Sequence, residues 1–338
     1  MKLFSILLTC VVALVVAGAG AASTTTYSIT DLGSLGYGVT DAFAINANGQ
    51  VAGGSYTAQA IQITCPPRQY GQPKKCFRHP ENAFLWSGGT MSDLGTLGGT
   101  DSEGRSINLS GEVVGSADTK AGLADGFLWN GKTMTDLGAF NAYGINDSAQ
   151  VAGTCGPNPG LHACLFSDGK TTQLTDPSSF AAYDCGASAI DNNGQIVGSC
   201  DDTSSYEHAV LWQNGTGTDL GTFGGPQASA AAVNNLGQVV GWAETGTDAD
   251  HGFLWSGGKM TDLGLNFFPA AINDNGVVVG GNEIFRNGTL QDLDNLIPPG
   301  SPYQIQTATG INDNGQIVAD AYDTATYQRH ALLLTPSG

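Results

Sequence analysis

A ten-residue phrase recurs seven times along the chain, and this repetition constrains the fold more than any other feature. The first copy runs from Ala44 to Gly53 and joins an apolar run to a second one through an Asn-x-x-Gly turn. The later copies occupy residues 106–115, 144–153, 189–198, 232–241, 271–280 and 310–319. After a longer first interval the spacing stays at about 40 residues, which predicts one structural unit built seven times.

Two further phrases alternate with the first. The second starts as Ala83-Phe84-Leu85-Trp86, and it returns at residues 126–129, 162–166, 208–212, 251–255 and 283–285. The third is Thr-Asp-Leu-Gly or close to it, and it follows at residues 92–95, 135–138, 218–221, 261–264 and 291–293. Each period therefore holds four β-prone runs separated by tight turns. A four-stranded antiparallel unit of this length predicts a β-propeller blade, whereas a β-helix coil would have a shorter period without internal hairpins.

The two ends of the repeat region complement each other. Residues 27–33 form an unaccompanied third phrase, and residues 330–334 form an unaccompanied second phrase. If the N-terminal strand becomes the outer strand of the last blade, two exposed sheet edges disappear at once. The predicted fold is therefore all-β: a seven-bladed β-propeller of four-stranded antiparallel blades, closed by the N-terminal strand joining the C-terminal blade.

The three phrases resemble those of the HAF-repeat family, bacterial repeat proteins thought to be extracellular and named for the His-Ala-Phe start of the second phrase. The resemblance covers residues 27–334 and implies an exported protein built from repeats. It brings no catalytic residues with it. Several copies depart from the pattern: Asp191 replaces Asn, Gln173 replaces Asp, and Asp125 stands where His would be.

Residues 1–22 have the pattern of a secretory signal peptide. Lys2 precedes an apolar run from Leu3 to Val16, and small residues follow as far as Ala22. This arrangement predicts cleavage after Ala21 or Ala22, whereas the alternative of a membrane anchor would need a longer span. The expectation is a single propeller domain over residues 23–338, secreted or extracellular, with the periplasm and the cell surface as alternatives and no membrane insertion after cleavage.

The charge balance excludes one class of partner. The chain carries a net charge of −18, and only 12% of its residues are charged while 41% are hydrophobic. Nucleic-acid binding relies on clustered Lys and Arg, so no nucleic acid is expected as a partner. The apolar share also excludes a disordered acidic tail.

Six cysteines remain after signal removal, an even number that suits an oxidising compartment. Their spacing predicts three local disulfides: Cys65 with Cys76, Cys155 with Cys164, and Cys185 with Cys200. A zinc site is disfavoured because no Cys-x-x-Cys spacing occurs. The Asx-rich turns lack the carboxylates of a calcium loop, so neither a metal nor a cofactor is predicted.

One segment breaks the repeat. Residues 56–80 form an insertion in the first blade, and they hold a basic and aromatic group predicted to face a ligand. That group is Arg68, Tyr70, Lys74, Lys75, Arg78 and His79. The alternative reading is a long solvated hairpin.

The recurring polar and aromatic residues are predicted to be structural, because propeller symmetry puts each copy on a different blade. This applies to the aspartates of the third phrase, to the tryptophans of the second, and to His162, His208, His251 and His330. No catalytic residue stands out, so the chain is predicted to be a non-catalytic extracellular binding module for a glycan or a protein. The alternative is a polysaccharide lyase or hydrolase in which Tyr70 and His79 act as base and acid and Arg68 or Arg78 neutralises a uronate.

Overall fold

A computed structural model describes residues 25–63, 76–157 and 160–337. The predicted signal peptide, residues 1–22, lies outside the described residues. Seven four-stranded antiparallel sheets and one two-stranded sheet contain all the strands of the described part. The seven sheets form a ring, which confirms the predicted seven-bladed β-propeller.

Blades 1 to 3 follow one another from the N-terminal side. After β1 (Thr26–Asp31), blade 1 contains β2 (Gly36–Ile45), β3 (Val51–Thr57), β6 (Glu81–Ser87) and β7 (Thr90–Asp93), with the small hairpin β4 (Ile61–Ile63) and β5 (Cys76–Arg78) between β3 and β6. Blade 2 contains β8 (Gly98–Ile107), β9 (Val113–Thr119), β10 (Ala124–Trp129) and β11 (Met134–Asp136). Blade 3 contains β12 (Phe140–Ile145), β13 (Val151–Cys155), β14 (His162–Ser167) and β15 (Lys170–Gln173).

Blades 4 to 7 complete the ring. Blade 4 contains β16 (Ala182–Ile190), β17 (Ile196–Asp202), β18 (Glu207–Gln213) and β19 (Thr216–Asp219). Blade 5 contains β20 (Gly224–Val233), β21 (Val239–Thr245), β22 (Asp250–Ser256) and β23 (Lys259–Leu265). Blade 6 contains β24 (Ala271–Ile272), β25 (Val278–Gly280), β26 (Glu283–Arg286) and β27 (Thr289–Asp292), and a 3₁₀ turn (Leu293–Asn295) leads to blade 7 with β28 (Tyr303–Ile311), β29 (Ile317–Asp323) and β30 (Arg329–Ser337).

The N-terminal strand supplies the fourth strand of blade 7. Strand β1 pairs antiparallel with β30, with Ile29 opposite Leu334 and Asp31 opposite Leu332. Tyr27 is buried beside Leu332 and Leu334 in the core of this blade. The predicted closure is therefore confirmed.

The ring has two distinct faces. The hairpin face carries the turns that join the first two strands and the last two strands of each blade. The loop face carries the connections between second and third strands, including the described residues 58–63 and 76–80 of blade 1. The first strands line the central channel, since the turn residues of all seven blades converge around its mouth on the hairpin face.

Apolar side chains fill the spaces between neighbouring blades. Phe84 and Trp86 of blade 1 pack against Val318 and Leu333 of blade 7, and the other seams repeat this arrangement. The glycine that ends the first phrase is required here: a Cβ at Gly53 would lie 2.0 Å from the Asp41 carbonyl oxygen. The recurrent tryptophans therefore have the structural role that the sequence predicted, and the strand glycine is a further requirement that the structure adds.

A ladder of asparagine side chains runs around the hairpin face. The Nδ2 atom of each turn asparagine donates to the backbone oxygen at the equivalent position in the next blade, as Asn46 does to Asn108 at 2.9 Å. Six of the seven steps are present, from blades 1, 2, 3, 5, 6 and 7. The missing step starts at Asp191, because a carboxylate cannot donate.

Two of the three predicted disulfides are confirmed, Cys155–Cys164 in blade 3 and Cys185–Cys200 in blade 4. The third prediction involves Cys65, which lies outside the described residues. Within the described ranges, no helix has the length and apolar character needed to cross a membrane.

Candidate functional site

The repeated aspartates and histidines stabilise the blades individually. An Oδ1 atom of Asp31, Asp93, Asp136, Asp219 or Asp262 accepts a hydrogen bond from the backbone N–H of the glycine two residues later. The same aspartates pair with histidines across the strands: His251 Nδ1 lies 2.9 Å from Asp262 Oδ2, and His330 Nδ1 lies 2.8 Å from Asp31 Oδ2. Since each pair belongs to a different blade, these residues do not form one reactive centre.

Of the six predicted ligand residues, Arg68, Tyr70, Lys74 and Lys75 lie outside the described residues. Arg78 is described, and its Nη1 atom donates to Asp101 Oδ1 of blade 2 at 2.7 Å. This bond lowers the pKa of Asp101 to about 2, so the pair stays ionised at neutral pH. Arg78 thereby anchors the insertion to the neighbouring blade.

His79 follows Arg78 and is held by its surroundings. Its Nδ1 atom lies 2.8 Å from the Thr57 carbonyl oxygen, and its ring stacks on Tyr37 with centroids 3.4 Å apart. Tyr37 itself is exposed. The base of the insertion therefore presents a stacked aromatic pair on the loop face.

A charged cluster lies beside this base, where blades 7, 1 and 2 meet. It comprises Asp41, Glu81, Asp101, Glu103, Asp320, Arg78, Arg105 and Arg329. Arg329 of blade 7 links this blade to blade 1. Its guanidinium lies 2.7 Å from Asp41 of blade 1 and 2.9 Å from Asp320 of its own blade. The third arginine of the cluster, Arg105, pairs with Glu103 at 2.6 Å.

Glu81 differs from the other carboxylates of the cluster. No described residue forms a hydrogen bond or an ion pair with its side chain. Burial, together with the negative charges of Glu103, Asp41 and Asp101, raises the pKa of Glu81 to about 7. Burial also raises the pKa of Asp320, to about 6. Glu81 can therefore gain or lose a proton near neutral pH.

The central channel contains a cavity of about 440 Å³ next to this cluster. One wall consists of Phe43, Arg105 and Tyr143 from blades 1 to 3, and the guanidinium of Arg105 lies 5.3 Å from the centre of the Phe43 ring. The opposite wall consists of small residues such as Ser188 and Ala270. The cavity thus combines two aromatic rings, a charge-paired guanidinium and free hydroxyl groups.

Sequence reasoning missed the residues of this cavity, although a signal was available. Phe43, Arg105 and Tyr143 each stand three positions before the turn asparagine of their blade. The same position holds Ser188 in blade 4 and Thr309 in blade 7. A position that varies between otherwise similar repeats is where a binding residue is expected.

One group of possible metal ligands occurs in the described part of the chain: Asp176, Cys185 and Cys200. The two cysteines form a disulfide, so their sulfur atoms are not available as thiolate ligands. This group therefore does not qualify as a metal centre.

Comparison with models of protein families and with curated protein sequences found no match. Among solved structures, the chain is similar to TolB from Acinetobacter baumannii (11% identity, TM-score 0.44, covering 76% of this chain and 60% of that chain). It is also similar to an acylaminoacyl peptidase from Pyrococcus horikoshii (11% identity, TM-score 0.49, covering 91% and 51%). A third similarity is to the Aleuria aurantia lectin in complex with Fucalpha1-6GlcNAc (12% identity, TM-score 0.35, covering 93% and 96%).

The chain spans 60% of the TolB chain and 51% of the peptidase chain. All three TM-scores lie below 0.5. The assignment of this chain as a seven-bladed β-propeller accordingly rests on its own strand pairing and ring closure.

Proposed function

We propose that this protein is an exported, non-catalytic binding module that takes a glycan on the loop face of its propeller. Residues 1–22 direct export in this proposal, in line with the resemblance to the HAF-repeat family. The observation that carries the proposal is the grouping of features that break the sevenfold symmetry. The insertion, the charged cluster and the bulky wall of the axial cavity all lie in blades 7, 1, 2 and 3.

The composition of the cavity favours a sugar over a protein surface. Tyr143 and Phe43 offer rings for the apolar face of a sugar, and Ser188 and Ser199 offer hydroxyl groups. Arg105 is neutralised by Glu103, so the site does not demand an anionic ligand. The volume of about 440 Å³ suits a short stretch of sugar units.

A glycan array probed with the mature protein tests this proposal, followed by affinity measurements on the strongest hit. Tyr143→Ala is expected to weaken binding by roughly tenfold or more, as for a central aromatic contact. The matched control is Leu236→Ala, which removes an exposed side chain on the hairpin face and should leave affinity unchanged. An array without any hit, or a hit that Tyr143→Ala does not weaken, would contradict the proposal.

A hydrolase is the second candidate, because Glu81 has the raised pKa that a general acid needs and stands among other carboxylates. A lyase is the remaining form of the enzyme hypothesis. Released reducing ends report hydrolysis, and ultraviolet absorbance of the unsaturated product reports elimination. Activity that disappears in Glu81→Gln while glycan binding persists would establish the enzyme and displace the non-catalytic proposal.

A further inference from the structure

A second cavity, of about 330 Å³, lies between blades 3 and 4. It opens on the hairpin face, because its wall includes the two turns of blade 4 at residues 193–194 and 214–215. The insertion and the charged cluster belong to the opposite face. Although the protein has a net charge of −18, none of the residues that line this cavity is charged.

Four side-chain amides surround the cavity, from Gln150, Gln173, Asn193 and Asn214. Among the described residues, none forms a hydrogen bond with the amide of Gln173 or of Asn214. Gln150 uses only its Oε1 atom, which accepts from Asn146, and Asn193 uses only its Nδ2 atom. The cavity therefore offers several free donors and acceptors that point to an uncharged polar ligand.

The seam between these two blades is built differently from the others. In blades 1, 2 and 5 the tryptophan of the third strand faces a methionine, as Trp86 faces Met91. In blade 4, Trp212 faces Gly217 instead. Thr175, in the segment that follows blade 3, occupies the space that a methionine side chain fills in the other blades. Its carbonyl oxygen accepts from Trp212 Nε1 at 3.1 Å and from the Gly217 N–H at 2.9 Å.

A further departure from the repeat adds an amide to this seam. Gln173 stands where blades 1, 2, 4 and 5 have the aspartate that caps the following turn. Both blades beside the cavity also carry a disulfide, Cys155–Cys164 and Cys185–Cys200. Each disulfide links two neighbouring strands of its blade and so restrains the blades on either side of the cavity, which lowers the entropy cost of binding.

We propose that the cavity between blades 3 and 4 binds one neutral sugar ring, at a site separate from that of the loop face. Leu165, Ile196 and Trp212 form the apolar floor, and the amides of Gln173 and Asn214 pair with hydroxyl groups at the rim. Because no lining residue is charged, the cavity offers no counter-ion to a charged sugar. The volume lies at the small end of ligand pockets, which suits one ring better than a chain.

The test uses the mature protein and three neutral probes, the methyl glycosides of glucose, galactose and mannose. Saturation-transfer NMR at about 10 mM detects binding even for a Kd of about 1 mM. We expect transfer from at least one glycoside, and we expect it to persist when residues 58–79 are replaced by Asn-Gly, since the described ends of this segment lie on the other face. Absence of transfer from all three glycosides overturns the proposal.

The variant Gln173→Met with Asn214→Gly removes both free amides. Met preserves the size of Gln, and Gly accepts the positive φ of 52° that Asn214 adopts. Each hydrogen bond contributes about fivefold, so the double variant should bind at least tenfold more weakly. Asn287→Gly is the matched control, because Asn287 adopts the same φ of 52° in the equivalent turn of blade 6. Binding that is unchanged in the double variant, or lowered equally in the control, overturns the proposal.

Discussion

The turn asparagine uses all of its hydrogen-bonding capacity at the residue scale. In blade 5, Asn234 accepts from the backbone N–H groups of Leu236 and Gln238 through Oδ1. Its Nδ2 atom donates to Gln238 Oε1 and to the Asn273 carbonyl of the next blade. One side chain therefore closes its own turn and ties two blades together.

Asp191 interrupts this ladder, so its replacement makes a direct test. Asp191→Asn should add the missing donor and stabilise the protein by about 1 kcal/mol. Asn273→Asp should have the opposite effect, a loss of about 1–3 kcal/mol, because its bond to the Asn312 carbonyl is lost and a carboxylate is buried. Urea unfolding measures both variants. Shifts of the same sign would show that the ladder does not stabilise the ring.

The raised pKa of Glu81 makes the free energy of unfolding decrease as the pH rises, whereas most carboxylates have the opposite effect. Its pKa is about 7 in the folded protein against an ordinary value of 4.5, so the protonated form favours folding. That contribution is fully present below pH 4.5 and is lost as the pH rises through 7. Asp320 adds the same trend at lower pH, since its pKa rises from 3.8 to about 6.

We therefore expect Glu81→Gln to raise the melting temperature at pH 8 by roughly 2 °C or more. The melting temperature of the variant should also fall less between pH 5 and pH 8 than that of the parent. At pH 4 the variant and the parent should melt together, because Glu81 is then largely protonated in both the folded and the unfolded protein. Glu112→Gln is a suitable control, since Gln occupies that turn position in blades 1, 3, 4, 5 and 7. A parent protein whose stability does not fall above pH 6 would contradict this account.

At the scale of single elements, the hairpin of blade 4 combines a turn with a covalent link. Cys185 and Cys200 occupy opposite positions on β16 and β17, with their Cα atoms 4.0 Å apart. The sequence predicted this pair from its symmetric placement about the turn. The separation of 15 residues corresponds to about 3 kcal/mol of stabilisation from the constraint on the unfolded chain.

The double variant Cys185→Ala with Cys200→Ala should therefore lower the free energy of unfolding by about 3 kcal/mol. Chemical denaturation under non-reducing conditions measures the difference. The parent protein treated with a reductant serves as the comparison, and it should lose more because Cys155–Cys164 opens too. A change below about 1 kcal/mol would mean that the hairpin is already ordered in the unfolded chain.

Element lengths were harder to predict than element order. The first phrase is present in blade 6, yet β24 contains only two residues, Ala271–Ile272. Pro269 precedes it and lacks the N–H group that a longer inner strand would need. The repeat predicts where a strand stands in the blade, whereas its length depends on such local departures.

At the scale of the whole molecule, closure depends on a strand that is distant in sequence from its partners. Tyr27 is buried between blades 6 and 7 and Leu32 between blades 7 and 1, and each contributes roughly 1.5–3 kcal/mol through burial. Deletion of residues 27–33 should therefore destabilise the protein by at least about 3 kcal/mol. Replacement of residues 58–79 by Asn-Gly is the control, which should cost less, about 1–2 kcal/mol, because it removes the partly exposed Arg78–Asp101 ion pair and the contacts of His79 with Thr57 and Tyr37. Equal melting temperatures for the deletion and the parent would contradict closure by β1.

The charged cluster shows why the site was less predictable than the fold. Repetition along the chain predicts blades, because each blade is a local unit. The cluster brings Asp41 and Glu81 together with Asp320, which lies at the far end of the chain and meets them only across the closed seam. No spacing rule within one repeat relates such residues. Arg78 and His79 were predicted from their composition, and their partners Asp101 and Tyr37 became evident only in the folded ring.

The pairing of β1 with β30 also sets an order of events during synthesis. Strand β1 can pair only after β30 has been synthesised, so it stays unpaired while the other strands assemble. Six blades can close their own hairpins as they appear, but blade 7 joins both chain ends and forms last. A chain interrupted before residue 329 would leave β1 without a partner strand and the ring open. The seventh blade can therefore form only after synthesis has passed through β30.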